Sequence, residues 1–267
     1  MPFTDTLEPA SLRAAAGLAT VEHLPETRST MDRAREVALD PGAALPALVV
    51  ADRQTLGRGR RGARWWQPPG SLAVSLVVDG REYGGAGGPP PTWSLACGVA
   101  LAEAIRACEP GLAPKVRWPN DIEVAGRKLA GILVETAGDS RAIFGIGVNT
   151  SGSADDAPAP VRHRVATLPD LAGRPLGRQM LLAQFLPALF ELLTEIATDP
   201  ARLASRYQPL CSLTGNEIRI HTAEGVSVGR CLGIAADGRL LLDTDTGLRT
   251  FVSGSLTDPA DVWHGDE

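Results

Sequence analysis

The sequence predicts an α+β protein: a mixed, mostly antiparallel sheet flanked by helices, followed by a small all-β module. Three observations carry that prediction. Between residues 46 and 149, short apolar or alternating runs are joined by hairpin-type turns, Ala125-Gly126 and Gly138-Asp139 among them. Helical-period segments lie between and after those runs. After Tyr207 the pattern shortens to strands separated by Glu224-Gly225, Asp237-Gly238 and Thr246-Gly247. The chain therefore divides into a larger unit over residues 1–208 and a small β-barrel over 209–267.

The elements follow in order. Residues 1–24 read as an arm with one small helix around Ser11–Leu18. Ser29, with Asp32 three residues later, is a capping-box variant that opens a helix carrying Met31, Ala34, Val37 and Ala38 on one face. Two roles are open to Ser29 and Thr30: to cap that helix only, or also to turn their hydroxyls toward a ligand. Pro46–Asp52 reads as a buried strand, and Gly70–Val78 as a second. Residues 80–91 are a mobile Gly/Pro-rich connection, and Thr92–Cys108 is a helix. Lys115–Trp118 is a short strand stopped by Pro119; Ile122–Val124 and Arg127–Thr136 form a hairpin; Ala142–Val148 ends at Asn149. Residues 151–166 read as a flexible loop. Arg178–Thr198 is an apolar helix that Pro187 should kink or split. Strands are expected at Glu217–His221, Val226–Ala235, Arg239–Asp243 and Leu248–Val252.

The segment Gln54–Trp66 stands out from this frame. Gly57, Gly59 and Gly62 alternate with Arg58, Arg60 and Arg61, and Trp65-Trp66 follow. Glycines permit positive φ and close approach of a ligand to backbone N–H groups. Arginines add permanent charge and donor forks suited to carboxylate and phosphate. Such a loop is flexible when empty and can close over an anion; a solvated, nucleic-acid-touching loop is the other reading. Lys128 sits in small, apolar company within Arg127–Glu135, where an ammonium needs an anionic partner.

Composition restricts the function. A formal net charge of -5 argues against general nucleic-acid binding, which uses a broad basic face. Cys97, Cys108, Cys211 and Cys231 form no C-x-x-C pair and read as reduced thiols of a cytoplasmic protein. His23, His163, His221 and His264 lack zinc-ligand spacing. No apolar run reaches the ~20 residues of a membrane span, and residues 1–9 lack the features of a signal peptide.

Four motifs now stand in order: Ser29-Thr30, Gln54–Arg61 with Trp65, Lys115–Asp121, and Gly126–Glu135, closed by the β-barrel. Together, GRGRRG, WPND and GRKLAGILVE resemble the biotin protein ligases, from about residue 25 to 256. The resemblance implies a class II synthetase-like, biotin–lipoate ligase catalytic domain over 1–208 and an SH3-like barrel over 209–267. It implies coupling of biotin to ATP with Mg²⁺, giving biotinoyl-5′-AMP and pyrophosphate, then transfer of biotin to one lysine of a biotin carboxyl carrier protein. It places Ser29, Thr30 and Gln54 at the ureido ring, with Met31 packing beside them. Gly57, Arg58, Gly59, Arg60 and Trp65 belong to the loop that holds the carboxylate and then the acyl phosphate. Lys128, with Gly131 in the same motif, would sit at the biotin carboxylate and α-phosphate. Asn149 would face the nucleotide, and Asp121 would help place the metal or the incoming lysine. Lys128, Arg58, Arg60 and Asp121 are thus the catalytic candidates; no dedicated protein metal site is assigned.

The chain departs from the family in three places. Arg117 stands where a lysine often precedes Trp-Pro-Asn-Asp, keeping charge but not geometry. Met31 stands where asparagine is common, and the 151–166 loop, where the family folds over adenine, has no tryptophan. No N-terminal DNA-binding domain is expected, hence no sequence-specific DNA contact; a monomer and a homodimer are both open. The rival readings are a lipoate or octanoate ligase or transferase of the same plan, a nucleic-acid-binding module using Arg58–Arg64, and a catalytically silent scaffold.

Overall fold

The computed structural model describes residues 5–85, 88–256 and 263. His264, the first four residues of the arm and residues 86–87 of the Gly/Pro-rich connection lie outside the described residues.

The elements in chain order are α1 (Pro9–Ala16), β1 (Thr20–Thr27), α2 (Thr30–Leu39), β2 (Ala47–Gln54), β3 (Leu72–Asp79), α3 (Thr92–Cys108), β4 (Lys115–Arg117), β5 (Asp121–Val124), β6 (Arg127–Ala137) and β7 (Arg141–Val148). They continue with α4 (Ala159–Arg162), α5 (Leu168–Ala172), α6 (Arg178–Thr198), α7 (Ala201–Tyr207), β8 (Glu217–Thr222), β9 (Gly225–Ile234), β10 (Leu240–Thr244) and β11 (Gly247–Phe251). β1–β7 form a seven-stranded sheet in the order β1-β2-β3-β7-β6-β5-β4. Every pairing in it is antiparallel except β1 with β2.

The pleat of this sheet sets up two different faces. Leu48 and Val50, Leu72, Val74, Leu76 and Val78, and Phe144, Ile146 and Val148 belong to the main core with α3 and α6. The opposite face carries Val49, Val77 and Ile143 under Met31, Ala34 and Ala38 of α2. α2 covers only part of that second face. In register beyond Ile143 lie Gly145 and Gly147 of β7, opposite Ser75 and Ala73 of β3 and Leu133 and Gly131 of β6. The sheet therefore has a small-residue floor that α2 leaves open.

Four expectations are corrected. β1 was hidden within the arm: Thr20–Thr27 is polar and contains Pro25, a composition tolerated only on an edge strand, where β1 lies. Pro187 does not split α6, which runs unbroken from Arg178 to Thr198. The 151–166 loop is organised, with a 3₁₀ turn at Ala154–Asp156, then α4, then a parallel bridge of Val165 to Lys128. By length and composition α6 could cross a membrane; here Leu181, Leu182, Phe185, Leu186, Leu189, Leu192 and Leu193 lie in the protein core.

β8–β11 form a four-stranded antiparallel sheet. After β11 the chain returns to the far edge, where Ser255 exchanges both backbone hydrogen bonds with His221 of β8 at 2.8 and 2.9 Å. That return curls the sheet toward closure. Trp118 ties it to the larger unit by donating its indole N–H to the Gly238 carbonyl at 3.2 Å.

Candidate functional site

Above the open floor lies a cleft of about 360 Å³, a size suited to a small molecule. Its walls come from the start of α2, the 54–66 segment, β4–β6, the end of β7, the α4 region and the chain after β11. Among the candidates, Ser29, Thr30, Met31, Gln54, Arg58, Gly59, Arg60, Trp65, Arg117, Asp121, Lys128, Gly131 and Asn149 all line it. Gly57 is buried just behind, where an added Cβ would stand 3.0 Å from the Trp65 carbonyl oxygen.

The start of α2 is built by hydrogen bonding. Ser29 Oγ accepts from the Met31 N–H at 3.3 Å, so Ser29 is the cap. Asp32 does not close a capping box; its carboxylate pairs with Arg58 at 2.6 Å. Gln54 Oε1 accepts from the Thr30 N–H at 2.8 Å and from its hydroxyl at 3.2 Å, while Ser75 donates to the Thr30 hydroxyl at 2.8 Å. With its oxygen occupied, the Gln54 carboxamide offers its N–H₂ to a ligand.

The glycine–arginine segment is a small hairpin. Gly57 and Trp65 are bonded at 3.0 Å, Gly59 and Ala63 at 2.7 Å, and Arg58 bridges Arg64. Positive φ falls on Arg61 and Gly62 at its tip. Neither Gly57 nor Gly59 takes a positive φ; at Gly57 the missing side chain permits close backbone approach, whereas a Cβ at Gly59 would meet Ala63 only at ordinary contact distance. Arg60 is half-buried and donates to Asn120 Oδ1 at 3.3 Å. Burial, then the nearby charge of Arg61, lowers its pKa from the usual arginine value.

Trp65 lies on the floor. A Cβ at Gly147 would stand 2.4 Å from the Trp65 ring, and one at Gly131 3.2 Å away. At Gly145 a Cβ would meet Met31 Sδ at 2.5 Å. Lys128 reaches over this ring, with Nζ 5.7 Å from its centroid. Its anionic partner is Asp121, at 2.7 Å. Beside them Arg117 pairs with Glu123 at 3.3 Å, and burial raises the Glu123 pKa against the pull of Arg117.

Among the described residues, the buried polar atoms of the cleft without a hydrogen-bond partner include Asn149 Oδ1, the Trp65 and Trp263 indole nitrogens and Arg64 Nε. Asn149 donates through Nδ2 to the Ala166 carbonyl at 2.9 Å, leaving Oδ1 unpaired. The Trp65 indole nitrogen is likewise unpaired. Unpaired polar atoms in a cleft are ready to meet a polar ligand.

Sequence reasoning passed over Ser75, Asn120, Glu123, Gly145, Gly147 and Trp263, all of which belong to this arrangement. A signal existed for two of them. Glycines at i and i+2 in an otherwise apolar strand clear one face of a sheet. Trp263 lies far from every motif; its carbonyl accepts from the Arg64 N–H at 3.0 Å.

Comparisons with known proteins converge on one group. The sequence profile of the biotin/lipoate A/B protein ligase family matches residues 24–150. That of the biotin protein ligase C-terminal domain matches residues 214–255. A biotin–[acetyl-CoA-carboxylase] ligase of Paracoccus denitrificans is 31% identical over 236 residues, covering 86% of this chain and 97% of the relative. One from Mycobacterium tuberculosis is 31% identical over 221 residues, covering 79% and 78%. The biotin protein ligase of Aquifex aeolicus, solved in complex with biotin and ATP, superposes with a TM-score of 0.77 at 26% identity, covering 88% of this chain and 97% of that one.

Proposed function

The chain belongs to the biotin protein ligase family, and from that premise we propose how its cleft serves two half-reactions. The reaction is ATP-dependent ligation of biotin. Biotin is activated to biotinoyl-5′-AMP with release of pyrophosphate, and is then transferred to a lysine of a biotin carboxyl carrier protein.

In the first half-reaction a carboxylate oxygen attacks the α-phosphorus of ATP and pyrophosphate leaves. Two anions must meet, so positive charge aimed at the α-phosphate lowers the barrier. Lys128 supplies it. Asp121 and the face of Trp65 hold the ammonium in place before the substrates arrive. The Gln54 carboxamide and the Thr30 hydroxyl are suited to the ureido group of biotin, and the glycine floor leaves room for its fused rings. Asn149 Oδ1 accepts a donor of the nucleotide. Arg58, Gly59 and Arg60 close over the acyl phosphate and keep water from the mixed anhydride.

In the second half-reaction the carrier lysine attacks the acyl carbon and AMP leaves. Asp121 lies where it can steer that amine. Among the described residues no three acidic, histidine or cysteine side chains form a metal-holding group, and Asp121 is already engaged by Lys128. A magnesium carried on the ATP polyphosphate needs only one or two protein carboxylates, and Asp121 is the residue that would help place it.

We place the boundary between the catalytic unit and the C-terminal module at residues 208–209. The net charge of -5 supports no sequence-specific DNA contact. The free state of Cys97, Cys108, Cys211 and Cys231 supports a reducing, cytoplasmic setting.

The observation that carries this reading is Lys128, held at 2.7 Å from Asp121 over Trp65 inside the cleft. Its test is biotin incorporation into a purified carrier domain. Wild type should biotinylate the carrier with ATP. Lys128→Ala should stay folded by circular dichroism and lose about 10²–10³ in rate, the usual cost of one such electrostatic group. A Lys128→Ala rate within about threefold of wild type would remove Lys128 from the chemistry.

A further inference from the structure

Trp263 lies beyond β11 and beyond both stretches that match the family profiles, residues 24–150 and 214–255. The two half-reactions described above give it no task. Yet it lines the cleft. Its ring is partly buried, and its indole nitrogen is buried with no hydrogen-bond partner. A buried N–H left unpaired costs free energy, and an acceptor arriving with a ligand removes that cost.

Backbone hydrogen bonding locates the residue. Across the 54–66 hairpin, Gly57 with Trp65 and Gly59 with Ala63 are bonded pairs, and Arg58 bridges Arg64 between them. In an antiparallel pair the N–H of such an intervening residue points away from the other arm. The Arg64 N–H accordingly leaves the hairpin and donates to the Trp263 carbonyl at 3.0 Å. The other arm backs onto the approach to α2: the Thr55 N–H donates to the Thr27 carbonyl at 3.0 Å, and the Leu56 N–H to the Arg28 carbonyl at 2.8 Å. Both arms therefore separate Trp263 from the start of α2. Trp66, further along the return arm, packs against Ala154, Ala157 and Val165.

β6 orders the cleft lengthwise in the same sense. Leu133 packs against the cluster that Met31, Ala34 and Ala38 of α2 help to form. Gly131 lies under Trp65, and Lys128 bridges Val165. Asn149, with its unpaired Oδ1, donates to the Ala166 carbonyl at 2.9 Å. The cleft thus has an α2 end, suited to the ureido group, and an opposite end walled by the chain around Val165. Trp263 lies toward the second.

Resting on the adenylation reading, we propose that Trp263 binds the nucleotide half of the substrate, its indole N–H donating to an acceptor of ATP and its ring giving an apolar face to the base. The unpaired groups nearby suit that ligand. Trp65 Nε1, Trp263 Nε1 and Arg64 Nε are donors, and Asn149 Oδ1 is an acceptor. A nucleoside triphosphate is rich in acceptors, and adenine carries one amine. Biotin offers a ureido oxygen and a carboxylate, which face Gln54 and Lys128. A residue from beyond the C-terminal sheet thereby completes the nucleotide end of the cleft.

The test titrates α,β-methylene-ATP, an analogue that cannot release pyrophosphate, into the full chain with magnesium and saturating biotin, followed by calorimetry. Trp263→Phe keeps a ring and loses the donor; its Kd should rise about threefold to tenfold, the scale of one neutral hydrogen bond. Trp263→Ala also loses the ring, and its Kd should rise about tenfold to a hundredfold, because contact between base and aromatic ring is lost as well. Biotin titrated alone should bind all three proteins equally. Equal binding of the analogue by wild type and Trp263→Ala overturns the proposal, as does a wild type that does not bind it. A parallel loss of biotin affinity would make Trp263 a brace of the hairpin and overturn it too. Trp263→Phe equal to wild type, with Trp263→Ala weakened, would overturn the hydrogen bond. A wild type that binds the analogue through Trp263 yet exchanges no pyrophosphate with biotin defeats the adenylation reading and leaves this nucleotide contact standing.

Discussion

Arg60 is a cation in a half-buried position, and its surroundings disfavour its charge. Burial acts first and Arg61 second, with Asp121 opposing them. A guanidinium kept there gains most when an anion enters the cleft, because its charge is then matched in poorly solvated surroundings. Its bond to Asn120 at 3.3 Å spans from the loop tip to the opposite wall, so one side chain can both meet the acyl phosphate and hold the loop shut. Arg60→Ala should therefore harm retention of the adenylate more than its synthesis. A charge-assisted hydrogen bond amounts to ~1.5–3 kcal/mol, or roughly tenfold to a hundredfold in adenylate release. Biotin appearing on a bystander albumin, alongside measured adenylate release, checks this; no excess labelling over wild type, with synthesis intact, would remove Arg60 as the latch. Gly147 matters at the same scale for what it lacks. With an added Cβ only 2.4 Å from the Trp65 ring, Gly147→Ala must displace Trp65 or strain β7, at about 1–3 kcal/mol. The expected result is a raised KM for biotin, relieved in part by adding Trp65→Ala. An unchanged KM in the single variant would mean that the floor does not set the ring's position.

At the scale of elements, chemistry-bearing segments were easier to read than the strand that borders them. The glycine–arginine loop, the Trp-Pro-Asn-Asp turn and the Lys128 hairpin announce themselves through residue types that have few other uses. Thr20–Thr27 does not: a half-exposed parallel edge strand needs no alternation and tolerates its proline. The 151–166 segment was misread for a related reason. Its order comes from tertiary bonds, Lys128 N–H to the Arg164 carbonyl at 2.7 Å and Ala166 N–H to the Lys128 carbonyl at 2.8 Å, which local composition cannot reveal. The end of β3 offers a pH test. Asp79 caps the 3₁₀ turn Gly80–Tyr83 through the Arg81 N–H. Its bond to the Arg81 side chain, the largest cause, lowers the Asp79 carboxyl to about 2. A depressed carboxyl stabilises the fold above its unfolded pKa, about 4 for aspartate, and that contribution fades as pH falls through about 2. The Arg81 side chain is largely exposed, so the effect is small. Urea unfolding of wild type and Asp79→Asn should differ near neutral pH and converge below about pH 2, near the folded-state value. A difference that persists there would assign the effect to something other than this carboxylate.

At the scale of the molecule, the catalytic plan follows from an asymmetry of one sheet. One face is filled by α3 and α6 and makes the core; the other is covered by α2 only in part, and glycines keep the remainder clear. The sequence carried the hydrophobic alternation that builds the first face and the motifs that rim the second. It could not show that Gly145 lies beneath Met31 and Gly147 beneath Trp65, or that Trp263 reaches the same cleft from the far end of the chain, because both are products of strand register and topology. The central claim is that this cleft activates biotin as its adenylate, and the family also contains ligases of other acids. The most direct measurement is exchange of labelled pyrophosphate into ATP by the wild-type chain, with biotin, lipoate and octanoate supplied separately. Exchange that depends on biotin and stays at background with lipoate and octanoate is the predicted result; exchange driven by lipoate or octanoate, with biotin inactive, would contradict it.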